Sequence, residues 1–227
     1  MNNKGMVIGP FLNDWVVNHP SKFVKISTKL GATLVDAMCV ASVRALPIFT
    51  TLDIPDKNFD VRNLTNGIEY APLYPSTTTL AGVPFQFSED VNGNTAAMTT
   101  SSIPVGLLVV DKVYTLINLF FGVSGAFNGT VEFTGSGGAF YSVDLVQGVN
   151  IRDHFVGFFN NVITDPTVVV DAFDPGADGL GAHFDRQVFD LPSAFDTQIL
   201  TGISLNGVNG FGFGIPFIAG ATVRAHD

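Results

Sequence analysis

Four aspartates lie within fifteen residues of one another in the second half of the chain, around a Pro-Gly-Ala-Asp-Gly segment; they are Asp171, Asp174, Asp178 and Asp185. Carboxylates on a glycine-rich loop suit Ca²⁺, a hard ion that takes about six to eight oxygen ligands. The spacing differs from that of an EF-hand, and aspartate also begins turns and keeps loops in water. The sequence therefore predicts either a calcium site or a solvated loop here.

A second polar cluster, Arg152-Asp153-His154, follows a series of apolar segments. An arginine can hold a carboxylate through two parallel hydrogen bonds, and Asp153 or Asp144 would be the partner. One interpretation is a clamp on the hydroxyls of a sugar. The alternative is a structural ion pair that fixes the loop in which the cluster lies.

Several aromatic side chains could form a platform for a pyranose ring; they are Tyr74, Phe140, Tyr141, Phe158 and Phe159. Aromatic residues at every second position of a strand also fill cores, where they bury large apolar areas. Tyr141 falls on the apolar side of its segment, so both roles stay open for it.

The residues do not form a recognisable catalytic set. The chain has no G-x-S-x-G phrase, no Walker loop and no zinc-ligand pattern. His183-Phe184-Asp185 alone does not make a triad. Paired acids for glycoside hydrolysis are also not identifiable, because acids are numerous and their separations are unknown. We expect a protein that is not an enzyme.

Charge is divided unevenly along the chain. Residues 1–45 carry five basic and two acidic side chains, and the remainder carries six basic and eighteen acidic ones. An acidic body lacks the basic stripe that nucleic acid binding requires. It suits an extracellular protein, or one that binds neutral sugars or cations. No apolar run reaches the roughly 18–20 residues of a membrane span.

The first 45 residues have the three parts of a secretory signal. The lysines of 22–29 precede a mostly small and apolar segment, 30–43, and Val43-Arg44-Ala45 offers small residues before a cut after Ala45. Asp36 interrupts the apolar segment, and the alternative is an N-terminal helix packed on the domain. The sequence predicts a leader or extension over 1–45 and a secreted domain over 46–227.

Hydrophobic residues recur with the period of β-strands downstream of the leader. Val113–Gly122, Thr130–Phe133 and Phe140–Val146 are separated by glycine-rich turns and predict an antiparallel meander. Leu80–Phe87 reads as one further strand. Nine or ten such strands, spaced about ten residues apart, predict an all-β domain with the architecture of an antiparallel jelly-roll β-sandwich.

Several phrases in order resemble a known group. They are Tyr74-Pro75, Gly82-Val83-Pro84-Phe85-Gln86-Phe87, Tyr114-Thr115-Leu116-Ile117-Asn118, Gly129-Thr130-Val131-Glu132-Phe133 and Val149-Asn150-Ile151-Arg152-Asp153-His154-Phe155. This set is similar to the galactose-binding-like β-sandwich modules, related to carbohydrate-binding modules, of secreted bacterial proteins. The resemblance implies a jelly roll, secretion and carbohydrate binding. It carries over no ligand site, and the chain departs from the group in having no Trp after residue 45.

The sequence leads to three hypotheses. The first is a secreted, non-catalytic β-sandwich that binds a carbohydrate or a cell-surface polymer through its loops. The second is a self-assembling extracellular protein, a homo-oligomer of a filament or surface layer, because the mean hydropathy is +0.35 and only 14% of residues are charged. The third is an enzyme acting on glycans with the Asp-rich loop.

Overall fold

The computed structural model describes residues 47–63, 67–155, 162–174, 181–208 and 214–226. The segment 1–45, interpreted as a leader or N-terminal helix, lies outside the described residues. So do the aromatic candidates Phe158 and Phe159 and the metal candidate Asp178. Their roles stay predictions.

Strands dominate the described part of the chain. They are β1 Ile48–Leu52, β2 Ser76–Leu80, β3 Val83–Phe87, β4 Ala97–Met98, β5 Thr100–Leu108, β6 Val110–Phe120, β7 Phe127–Gly135, β8 Phe140–Val146, β9 Val169–Phe173, β10 Phe184–Asp190, β11 Ile199–Gly207 and β12 Ile215–Ala225. The helical segments described are short 3₁₀ helices, Val61–Asn63, Gly67–Leu73 and Ser193–Phe195. None of the described helices has the length and hydrophobicity needed to cross a membrane.

Two antiparallel sheets form a sandwich. The larger sheet has the order β1-β12-β6-β10-β9, with β4 added to β12, and the smaller sheet has the order β5-β11-β7-β8. Strands β2 and β3 form a separate hairpin. The predicted all-β sandwich is therefore confirmed, whereas the jelly-roll connectivity stays a prediction.

The main core lies between the two sheets and is built by alternation. In β7, Val131 and Phe133 are buried and Glu132 between them is not. In β8, the apolar set Tyr141, Val143 and Leu145 packs against the same core. Successive side chains of a strand point to opposite faces, so one face of each strand enters the core. The faces predicted for these two strands are confirmed.

A second core covers the other face of the larger sheet. The β2–β3 hairpin contributes Phe85 and Phe87, and the sheet contributes Phe184 and Phe217, all at most 2% exposed. Because cores lie on both of its sides, β6 is buried almost continuously along its length. A strand covered on both faces has an uninterrupted apolar sequence instead of an alternating one.

The predicted meander is wrong in its first strand. β7 and β8 pair as predicted, but β6 lies in the larger sheet between β12 and β10. The continuous apolar sequence of β6 is typical of a strand in the centre of a sheet. It does not indicate which strands pair with β6. The single strand predicted over Leu80–Phe87 is also wrong, because Ala81 and Gly82 have positive φ and turn the chain between β2 and β3.

Candidate functional site

A short irregular segment, 151–155, places the predicted polar cluster at the end of β6. Leu119 donates its amide to the carbonyl of Arg152, at 2.9 Å, and its carbonyl accepts from the amide of His154, at 2.9 Å. The same segment also pairs with the residue that precedes β10, because the carbonyl of His154 accepts from the amide of His183, at 2.9 Å. The segment therefore continues the hydrogen bonding of the larger sheet beyond the start of β10.

Arg152 joins two carboxylates of neighbouring strands. Its Nε and Nη2 donate to the two oxygens of Asp185, each at 2.7 Å, and Nη2 also donates to Oδ1 of Asp171, at 2.6 Å. Asp185 is fully buried, Arg152 nearly so, and Asp171 is partly exposed. Burial disfavours the charged guanidinium, but the contacts with Asp185 and Asp171 outweigh burial and raise the pKa of Arg152.

Two further donors complete the shell of Asp185. Its Oδ1 accepts from the amide of Asp171, at 2.9 Å, and its Oδ2 accepts from Nδ2 of Asn118, at 3.1 Å. The amide of Asp185 in turn donates to Oδ1 of Asn118, at 3.0 Å. A carboxylate has about four acceptor positions, so these contacts occupy the capacity of Asp185. The buried charge is thus both paired and hydrogen-bonded.

His183 lies beside these carboxylates without bonding to them. Its side chain has 0% exposure, and neither ring nitrogen has a hydrogen-bond partner among the described residues. Nδ1 lies 3.9 Å from Oδ1 of Asp171, and Nε2 lies 3.9 Å from Oδ2 of Asp185. Ligand atoms of Asp171, His183 and Asp185 all lie within 4.8 Å of one another, and this group could hold a metal ion.

The other two members of the predicted cluster face an aromatic environment. His154 packs edge-on against Phe120, with ring centroids 4.9 Å apart, and burial lowers the pKa of His154 to about 3. Asp153 is 2% exposed and accepts from the amide of Phe155, at 2.6 Å. Burial raises the pKa of Asp153 to about 6, although backbone hydrogen bonds partly oppose this effect.

The structure brings together only part of the predicted ligand sets. Asp171 and Asp185 meet, and Asp174 is exposed but close enough for its charge to act on His183. Tyr74 packs edge-on against Phe87 in the second core, whereas Tyr141 packs against Phe133 in the main core. The two tyrosines therefore do not share a platform, and the ligand-binding roles predicted for Arg152, Asp153, His154, Tyr74 and Tyr141 stay predictions.

Tyr141 lines a cleft where the edges of the two sheets face each other. The cleft has a volume of about 220 Å³ and is lined by residues of β8, β10 and the segments that precede β9; they include Tyr141, Asn150, Asp165, Thr167, Phe189 and Asp190. Asp165 accepts from the amide and hydroxyl of Thr167, at 2.9 and 2.7 Å. Asp190 forms an ion pair with Lys112. An aromatic side chain and two carboxylates thus line one opening.

Sequence reasoning missed His183, a member of the metal-capable group, and Asn118, a hydrogen-bond partner of Asp185. His183 was considered only as part of an incomplete triad, and Asn118 was considered only for the resemblance. The available signal was the H-x-D spacing at the start of a strand, because side chains two residues apart share a face. No sequence pattern points to Asn118, because Asn118 and Asp185 are 67 residues apart in the sequence and lie on different strands.

No protein-family model matches the chain, and no curated protein is significantly similar to it. The family resemblance inferred from short phrases is thus supported only at the level of architecture, as two antiparallel sheets packed in a sandwich. Function has to be argued from the cleft and from the buried cluster themselves.

Proposed function

We propose that this chain is a secreted, non-catalytic β-sandwich that binds a neutral glycan in the cleft beside Tyr141. The observation that supports this proposal is the combination of one aromatic side chain with Asn150, Asp165 and Asp190 in a single opening. An aromatic ring can cover the apolar face of a sugar. Carboxylate oxygens accept hydrogen bonds from sugar hydroxyls and bind them more strongly than neutral acceptors do.

The size of the cleft favours one sugar unit of a longer chain. Its volume of about 220 Å³ is below the roughly 300 Å³ at which typical small-molecule pockets begin. A polymer would therefore place one ring in the cleft and continue over the surface. A β-sandwich suits this task because its sheets hold the edge residues of β8 and β10 in fixed positions.

The charge of the cleft selects against acidic polymers. Asp165 and Asp190 both line the cleft. In the described part of the chain, Lys112 forms an ion pair with Asp190. The domain after residue 45 also carries eighteen acidic against six basic side chains. A uronic-acid polymer would be repelled, so we propose a neutral polysaccharide as the ligand.

Binding can be tested with two variants of the same strand. Tyr141→Ala removes the ring from the cleft, and Phe140→Ala removes a neighbouring ring that is 60% exposed on the opposite face of β8. We expect wild type and Phe140→Ala to be retained by an insoluble neutral polysaccharide, and Tyr141→Ala to lose at least about tenfold in affinity, equal to roughly 1.4 kcal/mol. Melting temperatures of all three proteins would verify folding.

Two outcomes contradict the proposal. One is a wild-type protein that binds none of a panel of neutral polysaccharides, with and without Ca²⁺. The other is equal binding by Tyr141→Ala and Phe140→Ala. Secretion is tested separately, because the N-terminal residue of material recovered outside the cell would show whether the chain is cut after Ala45.

Calcium binding by the Asp-rich loop also belongs to this proposal. Asp171 and Asp174 are the members of the predicted set with exposed carboxylates in the described part of the chain. An exposed oxygen set favours a hard ion such as Ca²⁺. A rise in melting temperature with CaCl₂ that EDTA reverses would support it, and unchanged melting in both solutions would contradict it.

Self-assembly is a second candidate, and it is favoured by an apolar patch near the β6–β7 connection. Phe121, Val123 and Phe127 are 61%, 60% and 46% exposed. Contiguous exposed apolar side chains mark contact surfaces. We expect Phe121→Ser with Phe127→Ser to turn any concentration-dependent oligomer into a monomer in light scattering. A wild-type protein that is monomeric at high concentration would remove this candidate.

A further inference from the structure

Among the described residues, the imidazole of His183 and the amide of Gln147 are the buried side chains of which both polar atoms lack a hydrogen-bond partner, and His183 is the one that lies beside carboxylates. It is 0% exposed, and both ring nitrogens are without a hydrogen-bond partner. A neutral imidazole has one donor and one acceptor nitrogen. Leaving a buried donor or acceptor without a partner costs about 1–3 kcal/mol, so such a group in a native protein calls for a bound water or ion.

The distances around His183 suit a shared ion better than hydrogen bonds. Each separation of 3.9 Å, to Asp171 and to Asp185, is too long for a hydrogen bond. A tetrahedral Zn²⁺ ion lies about 2.0–2.2 Å from nitrogen and carboxylate ligands, so two of its ligand atoms are about 3.4 Å apart. The two separations of 3.9 Å involve different ring nitrogens, of which one can ligate a given ion, and ligand atoms of the three residues lie within 4.8 Å of one another. The side chains therefore have to close by up to about 1.4 Å to ligate one ion.

The charges of the cluster also leave room for a cation. Arg152 supplies one positive charge against the two carboxylates of Asp171 and Asp185, and Asp174 adds a further negative charge nearby. A cation would offset the net negative charge that the two carboxylates of Asp171 and Asp185 leave beside the single guanidinium of Arg152. The partly exposed Asp171 provides its route from solvent.

We propose that Asp171, His183 and Asp185 bind a divalent transition-metal ion of the zinc class, with Arg152 positioning the two carboxylates. An imidazole ligand favours Zn²⁺ and its neighbours in the transition series over Ca²⁺, which prefers oxygen ligands alone. To ligate the ion, Oδ2 of Asp185 gives up its contact with Asn118, which at 3.1 Å is the longest of its four hydrogen bonds. This site is separate from the glycan cleft, but it shares Asp171 with the calcium site proposed above, so the two ions are alternatives between which the zinc and calcium titrations decide.

An ion at this site would hold the edge strand of the larger sheet to the neighbouring strand. Asp171 belongs to the edge strand β9, whereas His183 and Asp185 lie at the start of β10. The pairing of these two strands is irregular between Phe184 and Arg186. An ion bound at this irregularity would hold β9 to β10 and stabilise the folded state in proportion to its affinity.

The test is a titration of the EDTA-treated full chain with ZnCl₂ and, separately, with CaCl₂, followed by calorimetry and thermal melting. We expect one saturable zinc site and a zinc-dependent rise in melting temperature. His183→Phe should lower zinc affinity by more than about 100-fold, beyond the 10–100-fold effect of residues that only orient a ligand. His226→Gln is the matched control, because His226 is an exposed histidine paired with Asp111; it should bind zinc as wild type does.

A measurement on the wild-type chain keeps the proposal testable if His183→Phe does not fold. Cobalt(II) bound in place of zinc should give visible absorption bands of a nitrogen- and oxygen-ligated site, and zinc should shift the ring ¹⁵N resonance of His183 in NMR spectra. Absence of saturable zinc binding overturns the proposal, as does an unshifted His183 resonance in the zinc complex. Stronger binding of calcium than of zinc overturns the assignment to a zinc-class ion.

Discussion

Replacing Asp153 by asparagine tests how burial controls the acid stability of this fold. Asp153 is 2% exposed, and burial raises its pKa from 3.8 to about 6. The native state therefore keeps the proton longer than the unfolded state, and stability falls as pH rises from about 4 to about 6. Above pH 6 the native state carries the full cost of a buried charge, which is about 3 kcal/mol.

Asparagine keeps the shape of this side chain but never ionises. Its amide oxygen can accept from the amide of Phe155, as Asp153 does at 2.6 Å. Asp153 also accepts a backbone hydrogen bond from Phe121, and weakening this contact costs about 1 kcal/mol. We therefore expect Asp153→Asn to raise the free energy of unfolding by about 2 kcal/mol at pH 7. Near pH 4 the variant should be no more stable than wild type.

The neighbouring His154 makes the pH profile of the variant distinctive. Burial lowers the pKa of His154 to about 3, so only the unfolded state takes up this proton as pH falls below 6.5. The contribution of His154 to the free energy of unfolding therefore decreases as pH falls, whereas the contribution of Asp153 increases. Between pH 4 and 6 the two effects cancel in wild type. Asp153→Asn should therefore lose stability on acidification by about 1.4 kcal/mol per pH unit more than wild type does.

Urea unfolding at several pH values between about 4 and 8 measures both expectations. Asp144→Asn, on the exposed face of β8, is the control, and its stability should stay within about 0.5 kcal/mol of wild type throughout. The reasoning is refuted if Asp153→Asn is not stabilised at pH 7, or if its advantage over wild type does not shrink toward pH 4.

Three further changes, one of them with a matched control, test the packing of the fold by urea unfolding. Arg152→Met leaves the fully buried Asp185 without its cation and should cost about 3–5 kcal/mol, and a loss below about 1 kcal/mol would show that the pair is not desolvated. Gly129→Ala places a Cβ against the backbone of β11 at φ 130°, and should cost about 2–4 kcal/mol. Gly138→Ala, at φ 89° with open space around it, should cost about 1 kcal/mol, so equal losses would contradict the steric argument. Phe85→Ala should cost about 3–5 kcal/mol if the β2–β3 hairpin covers a true second core, and a surface-like loss would contradict that core.

Alternation predicted the strands that have one buried and one exposed face. The bounds predicted for β8, Phe140–Val146, are those observed, because its partner β7 and the core fix its inward side chains. The same rule failed for β6, which is buried on both faces and therefore carries no face signal. It failed again at Ala81, where a non-glycine residue with φ 47° turns the chain without a recognisable turn sequence.

The candidate site was only partly predictable for a related reason. Asp171 and Asp185 were found because they lie near each other in the sequence. The partners proposed for Arg152 were nearby acids, whereas the observed partner Asp185 lies 33 residues away and meets it through sheet pairing. Sequence proximity finds clusters on one loop, but it does not find a contact that exists only after the segment 151–155 has paired with the start of β10.

The arrangement of the polar cluster follows from the burial of the larger sheet on both of its faces. A sheet covered on both faces cannot send the polar side chains of its central strands to water, so they have to satisfy one another. Gln187 does this by bonding to the backbone of Ile117, at 2.9 and 2.8 Å, across β10 and β6. Asn118 and Asp185 form a similar pair of hydrogen bonds two residues earlier in β10.

His183 departs from this pattern, because it continues the same row of inward side chains but has no hydrogen-bond partner for its ring within the described part of the chain. The hydrogen-bonded groups around it show that the fold provides partners where only protein atoms are needed. An unsatisfied imidazole at the end of that row, facing two carboxylates and a route to solvent through Asp171, is therefore the position at which a bound ion would complete the network.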